Sequence, residues 1–358
     1  MQKSAASAKS RLPLDPTLIT ATGCHLAATL AQAFHHTNAH AAVVVYDARC
    51  ELAQAMTAAY QQALPRAQFI DFDACTPAEV MAALAELQAA DLVVLIQSTS
   101  FRLEAFRIRV ELFRRGLKVI EHPHLMRMRG VEASYYLESL AFDSGYYGGT
   151  GRALKAQIDR ASVGRVDSGA GAELHFPVGF ESAKLNIGDY TGMANIGGQF
   201  PIGEVFTESR DLRAVHGRVR IFAFGDATFT VNQPVTPITL IIEQGQIAAT
   251  EASTPEFDQV LADIRADEGV VWLRELGFGL NRAFTRQRVV GDIGTYERMC
   301  GIHLSLGAKH GIYAKPGFKR DQGKHHVDVF AVTEAVWLDD NCVYHDASWT
   351  VASIALQS

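Results

Sequence analysis

From Ala41 to Pro123 the chain repeats one pattern, a short apolar run followed by a segment with helical spacing. "AAVVVYD" reads as a strand and "ELAQAMTAAYQQAL" as a helix. "AQFIDFD", "PAEVMAALAELQAA", "DLVVLIQS", "FRLEAFRIRVELFRRG" and "LKVIEHP" continue the series. Strands alternating with helices at this spacing form βαβ units, which predicts a parallel sheet with helices on its faces. Gly116, directly after the Arg-rich helix, suits a C-terminal cap. A sheet of this kind can bind a dinucleotide, but the first strand runs into "YDARCELAQ". No glycine there lets a pyrophosphate approach the backbone. The cluster "GYYGGTG" at Gly145–Gly151 follows no strand and reads as a linker, so NAD and FAD are not expected.

At 358 residues the chain is roughly twice the usual length of one domain, which predicts two. The first is a small α/β domain, flavodoxin-like or Rossmann-like, over residues 1–150. The second, over 151–358, changes texture: "RALKAQIDRA" gives way to Gly-rich, strand-like segments such as "GRVRIFAFGD", "PITLIIEQGQI", "VVWLREL", "HHVDVFAV" and "CVYHDASWT". That pattern predicts a β-rich α+β domain with few helices, one of them "PEFDQVLADIRAD". The formal net charge is −6 without a sustained basic block, so nucleic acid is not an expected partner. The Arg-rich stretch reads as an amphipathic helix with a solvated basic face. Five scattered cysteines, odd in number and without a CxxC, argue against both a disulfide framework and a thiolate zinc site. No run approaches the ~18 apolar residues of a membrane span, and the N-terminus lacks a signal-like apolar segment. A cytoplasmic protein without a membrane partner is the simplest expectation.

Within the second half, acids and histidines fall where the pattern asks for core residues. Side chains two apart in a strand share a face. In "HHVDVFAV" this groups His326, Asp328, Phe330 and Val332; in "VVWLREL" it puts Glu275 in phase with Val271 and Leu273; in "GEVFTES" it pairs Glu204 with Phe206. A carboxylate among apolar groups is costly unless protonated, paired or bound to a cation. A sheet edge or a salt bridge would explain any one of them. Taken with His303 in "GIHLSLG", they make an N/O donor set suited to zinc, cobalt, manganese or iron, without soft sulfur.

In order along the chain, "GGQFPIGEVFTES", "ELGFGLN", "YERMCGIHLSLG" and "HHVDVF" resemble the aminopeptidase T family of dinuclear metallopeptidases, the thermophilic and staphylococcal leucine-releasing aminopeptidases. The first half resembles that family's small α/β domain. The resemblance implies that the β-rich domain is the catalytic, metal-binding one. It places the metal ligands on Glu204, Glu275, His303, His326 and Asp328, holding two divalent ions (Zn, Co, Mn or Mg). Glu297 is implied as an acid beside the site; His325, if its segment is a strand, points to the opposite face and has a structural role. The family's catalytic tyrosine, seven residues past the first histidine, is replaced by His310. If "HLSLGAKH" is helical, His310 lies over the face of His303, where an imidazole can donate a hydrogen bond or shuttle a proton. The activity implied is release of N-terminal, apolar residues from small peptides or amino-acid amides, by a homodimer. Two alternatives stand beside it. The ring-cleaving dihydroxypyridine dioxygenases resemble the same family and use one non-haem Fe(II) held by two histidines and one carboxylate. A catalytically degenerate metal-binding protein is the other.

Overall fold

A computed structural model describes residues 14–101, 108–315, 317–318 and 323–352. The chain divides into two compact units, and the first runs through Phe142 and regains Tyr190–Phe200 after an excursion into the second.

In the first unit the strands Ala42–Tyr46, Gln68–Asp71, Leu92–Ile96 and Lys118–His122 are all parallel, as the alternation predicts. Leu92–Ile96 ("LVVLI") is buried at every residue, the signature of a parallel strand covered on both faces. Intervening helices pack on it: Val80, Leu84 and Leu112 join Val43, Val45, Val93 and Leu95 in one apolar cluster. The helix Pro77–Ala85 starts at a capping box formed by Thr76 and Glu79. Of the Arg-rich helix, residues 102–107 lie outside the described residues. Its remainder, Ile108–Arg114, is less solvated than its pattern suggests, because Arg109 pairs with Glu121 at 2.8 Å and the following Arg115 donates to the carbonyls of Leu84 and Leu87. A fifth strand, Ile196–Gln199, adds in parallel beside Lys118–His122. Its Gly197 has φ +108°, and a Cβ there would lie 2.0 Å from the Val119 carbonyl oxygen, so only glycine allows this approach. Inside the unit, His122 is fully buried between Tyr60 (2.8 Å to Nε2) and Tyr136 (2.6 Å to Nδ1).

The second unit takes Asp143–Asp189 and the chain from Pro201 onward, so the division falls before the expected boundary at 150. The glycine cluster expected as a linker is the first half of a 17-residue helix, Ser144–Arg160, capped by Asp143. Burial explains the glycines. Gly148, Gly149 and Gly151 lie on covered faces, and a Cβ on Gly151 would meet Ile187 Cγ2 at 2.6 Å. Close packing outweighs their poor helix propensity.

Apart from the helix Pro255–Glu268, which the sequence predicts, and short helical turns, the rest of this unit is an antiparallel sheet of 14 strands among the described residues. At its centre, His216–Gly225, Val327–Ala331, Gly301–Leu306, Leu273–Gly279 and Glu204–Glu208 lie side by side. One irregularity matters for everything that follows. Leu273 pairs with Leu306 and Leu276 with Leu304, so Arg274 and Glu275 together face the single residue Ser305. This is a β-bulge, which re-aims the side chains it carries. Among the described residues no helix is long and apolar enough to cross a membrane, and all five cysteines are free.

Candidate metal centre

Four adjacent strands present the candidate residues to one face. In an antiparallel pair, residues directly opposite point the same way. The register aligns Phe206, Gly277, His303 and Phe330 in one row, with Glu204 opposite Gly279 and Asp328 opposite Ser305. Glu275 reaches this face through the bulge. Its expected phase with Leu273 does not hold: Leu273 shares a face with Leu276, while Glu275 turns toward His303. The backbone N–H of Glu275 donates to Ser305 Oγ at 3.0 Å, which fixes the bulged residue.

The side chains converge. His303 Nε2 lies 3.3 Å from Glu204 Oε1 and 3.5 Å from Glu275 Oε1. His326 Nε2 is 3.2 Å from Asp328 Oδ1. Ligand-type atoms of Glu204, Glu275 and His303 all lie within 4.8 Å of one another, and so do those of Glu275, His326 and Asp328. Glu275 belongs to both groups. Glu204, Glu275, His303 and Asp328 are buried, and His326 is half-buried.

Close approach is not the same as hydrogen bonding here. Both ring nitrogens of His303, and Oδ1 of Asp328, have no hydrogen-bond partner despite these short separations. The carboxylates approach them without the required directionality. A buried polar atom left unpaired costs about 1–3 kcal/mol, and several in one cluster call for an explanation. Hard N and O donors aimed at a common space, with no direction demanded between them, fit a divalent cation.

The electrostatics also ask for positive charge. Burial disfavours ionised Glu275, but the close His303 imidazole and the hydrogen bond from His310 outweigh it and hold its carboxyl well below the usual carboxylate range. Burial would lower His303, yet Glu204 and Glu275 raise it well above an ordinary imidazole. His326 is likewise lowered by burial and raised more by Asp328, ending at about 10. A metal ion would therefore displace protons from the two imidazoles when it binds. Glu297 behaves oppositely: burial, then the Asp328 carboxylate, push it well above the usual range.

His310 does not arrive by two helical turns. Gly301–Leu306 is a strand, and a turn after it swings His310 back over Glu275. The backbone N–H groups of Ile312 and Tyr313 donate to Nδ1 at 3.2 and 3.4 Å. That leaves the proton on Nε2, which donates to Glu275 Oε2 at 2.8 Å. Tyr313 donates its hydroxyl to the Ser182 carbonyl at 2.8 Å instead of turning to this cluster. His325 pairs with Asp267 at 2.7 Å, apart from the cluster.

Several contributors were not anticipated. Arg298 is buried, with Nη1 3.2 Å from Glu204 Oε2 and also bonded to Glu297. Arg274 bonds Glu208 and donates to the carbonyls of Ala308 (2.7 Å) and Tyr313 (3.3 Å), bracketing the turn that carries His310. Gly277 provides room, since a Cβ there would lie 2.0 Å from His303 Cε1. Alternate glycines in "LGFG" were the available signal, because a glycine inside a strand often marks close approach by another group.

No protein-family model matches the sequence, and no curated protein matches it. Solved structures that share the fold include two that cover most of this chain. One is a 2,5-dihydroxypyridine dioxygenase from Pseudomonas putida, at 16% identity and TM-score 0.60, over 92% of this chain and 96% of that one. The other is AmpT from Thermus thermophilus, at 15% identity and TM-score 0.55, over 92% of this chain and 99% of that one.

Proposed function

We propose that the protein is a metal-dependent hydrolase, an aminopeptidase that releases N-terminal apolar residues from small peptides or amino-acid amides. One observation carries the choice. Each of the two donor groups contains a single histidine and two carboxylates, joined through Glu275. A mononuclear iron oxygenase calls for two histidines and one carboxylate around one ion, and neither group supplies that set. A shared carboxylate between two groups is instead the arrangement suited to a pair of ions.

On this reading Glu204, Glu275 and His303 would hold one ion and Glu275, His326 and Asp328 the other. Such ions supply Lewis acidity toward a carbonyl oxygen and lower the pKa of water. Glu297, half-buried beside the cluster and bonded to Arg298, would accept and return the proton of the attacking water. His310 keeps Glu275 in place through its Nε2–H, so it is a positioning residue rather than the oxyanion donor expected of it. The reading carries with it a homodimer, which light scattering would check.

The test begins with bound metal per chain, then compares hydrolysis of amino-acid amides and dipeptides, with added zinc, cobalt, manganese or magnesium, against oxygen uptake on dihydroxypyridines with iron. About two ions with amide hydrolysis is the expected result. One iron with oxygen consumption would replace this reading by the dioxygenase, and ions without turnover by a catalytically degenerate metal-binding protein.

A further inference from the structure

Because Glu275 is common to both donor groups, the remaining ligands define two ends, Glu204 with His303 and Asp328 with His326. The ends differ in their cations. At the first, Arg298 Nη1 lies 3.2 Å from Glu204 Oε2, on a residue only 7% exposed. At the second, among the described residues, the ion pair of Asp328 runs to His326, and no Lys or Arg pairs with it. A guanidinium keeps its charge in proteins, so Arg298 is a cation whether or not a metal is present.

We infer that Arg298 is a built-in counter-cation for the Glu204 end, which makes the two ends unequal: the Asp328–His326 end takes a divalent ion first and tightly, the Glu204–His303 end second and weakly. This rests on the metal-dependent reading above. The two oxygens of Glu204 are already divided, Oε1 toward His303 and Oε2 toward Arg298. An ion at that end therefore finds one oxygen free, on a carboxylate partly neutralised, beside a like charge. At the other end Asp328 Oδ1 has no hydrogen-bond partner to displace. Glu297 shares Nη1 of Arg298 without belonging to either donor group. Like charges at contact range in a poorly solvated site separate two binding steps by about tenfold or more.

The experiment is calorimetric titration of the metal-stripped full chain with Mn²⁺ and with Zn²⁺, with bound metal counted by mass spectrometry. The wild type should take two ions in steps about tenfold or more apart. Glu204→Gln should remove only the weaker step and Asp328→Asn the tighter one. Arg298→Met should tighten the weaker step by about tenfold, and Arg298→Lys should preserve the gap. Should Arg298→Met not fold without metal, the Glu204→Gln and Asp328→Asn titrations still assign the order. Two equal steps, or loss of the tighter step in Glu204→Gln, would overturn the inference while leaving a two-ion enzyme standing. No bound metal at all would overturn the functional reading with it.

Discussion

Gly277→Ala isolates the packing that seats His303. A Cβ on Gly277 would lie 2.0 Å from Cε1, 2.1 Å from Nε2 and 2.6 Å from Nδ1 of that ring. Carbon contacts of this kind essentially never fall below 3.0 Å, so the ring must retreat by about 1 Å (3.0 − 2.0). It cannot do so freely, because its strand is laddered to a neighbour on each side and Phe330 stands across from it. Overpacking of this kind costs about 1–3 kcal/mol. A displacement of about 1 Å at a reacting centre costs on the order of 10²-fold in rate. Denaturant unfolding, bound metal and amide hydrolysis should all be compared with Gly145→Ala. The nearest neighbour of a Cβ at Gly145 is Asp143 Oδ1 at 3.4 Å, and this control should stay within about 0.5 kcal/mol of wild type. Unchanged metal content and turnover in Gly277→Ala would refute the assignment of His303 to the site.

Asp328→Ala should abolish hydrolysis and lower bound metal while circular dichroism stays native; activity surviving in the metal-stripped variant would contradict its role as a ligand. His310→Phe should reduce kcat by roughly 10- to 100-fold with metal occupancy retained, since it acts through Glu275; equal loss of both would make His310 a ligand itself. Arg274→Met leaves the buried Glu208 with only the more distant Lys315, at 3.9 Å, as a counter-charge and should destabilise the protein by about 3 kcal/mol in urea unfolding. His122 has a folded pKa pushed by burial down to about 3 from 6.5, so protonation favours the unfolded chain. Its contribution is complete above pH ~6.5 and is lost as pH falls toward ~3, by up to about 5 kcal/mol. The wild-type stability, relative to His122→Phe, should decline through that window; parallel curves would refute it.

The first unit was legible because its strands are apolar throughout and its helices carry ordinary caps, so local pattern and tertiary environment agree. The central strand "LVVLI" needed no tertiary information. Glu204 and Asp328 were legible for a related reason: each breaks alternation in a strand whose register then runs without interruption. Glu275 was reached by a phase argument that the bulge invalidates, since an extra residue reverses every face beyond it. A bulge is decided by the partner strand and leaves no local pattern to read. The glycines of Ser144–Arg160 misled in the opposite way, looking like a linker because propensity is local while the packing that overrides it comes from Ile187. Arg298 was passed over because an arginine after a glutamate reads as surface charge until the arginine is seen to be buried.

The return of Tyr190–Phe200 to the first unit has a practical meaning for anyone who would study that unit alone. A fragment stopped at Phe142 keeps four parallel strands but loses Ile196–Gln199, which covers the edge of Lys118–His122 opposite Leu92–Ile96. The exposed row of amide and carbonyl groups would invite intermolecular pairing and precipitation. A workable isolated module must graft those eleven residues back through an artificial connector, or supply them as a peptide in trans, whose uptake would report directly on the vacant edge.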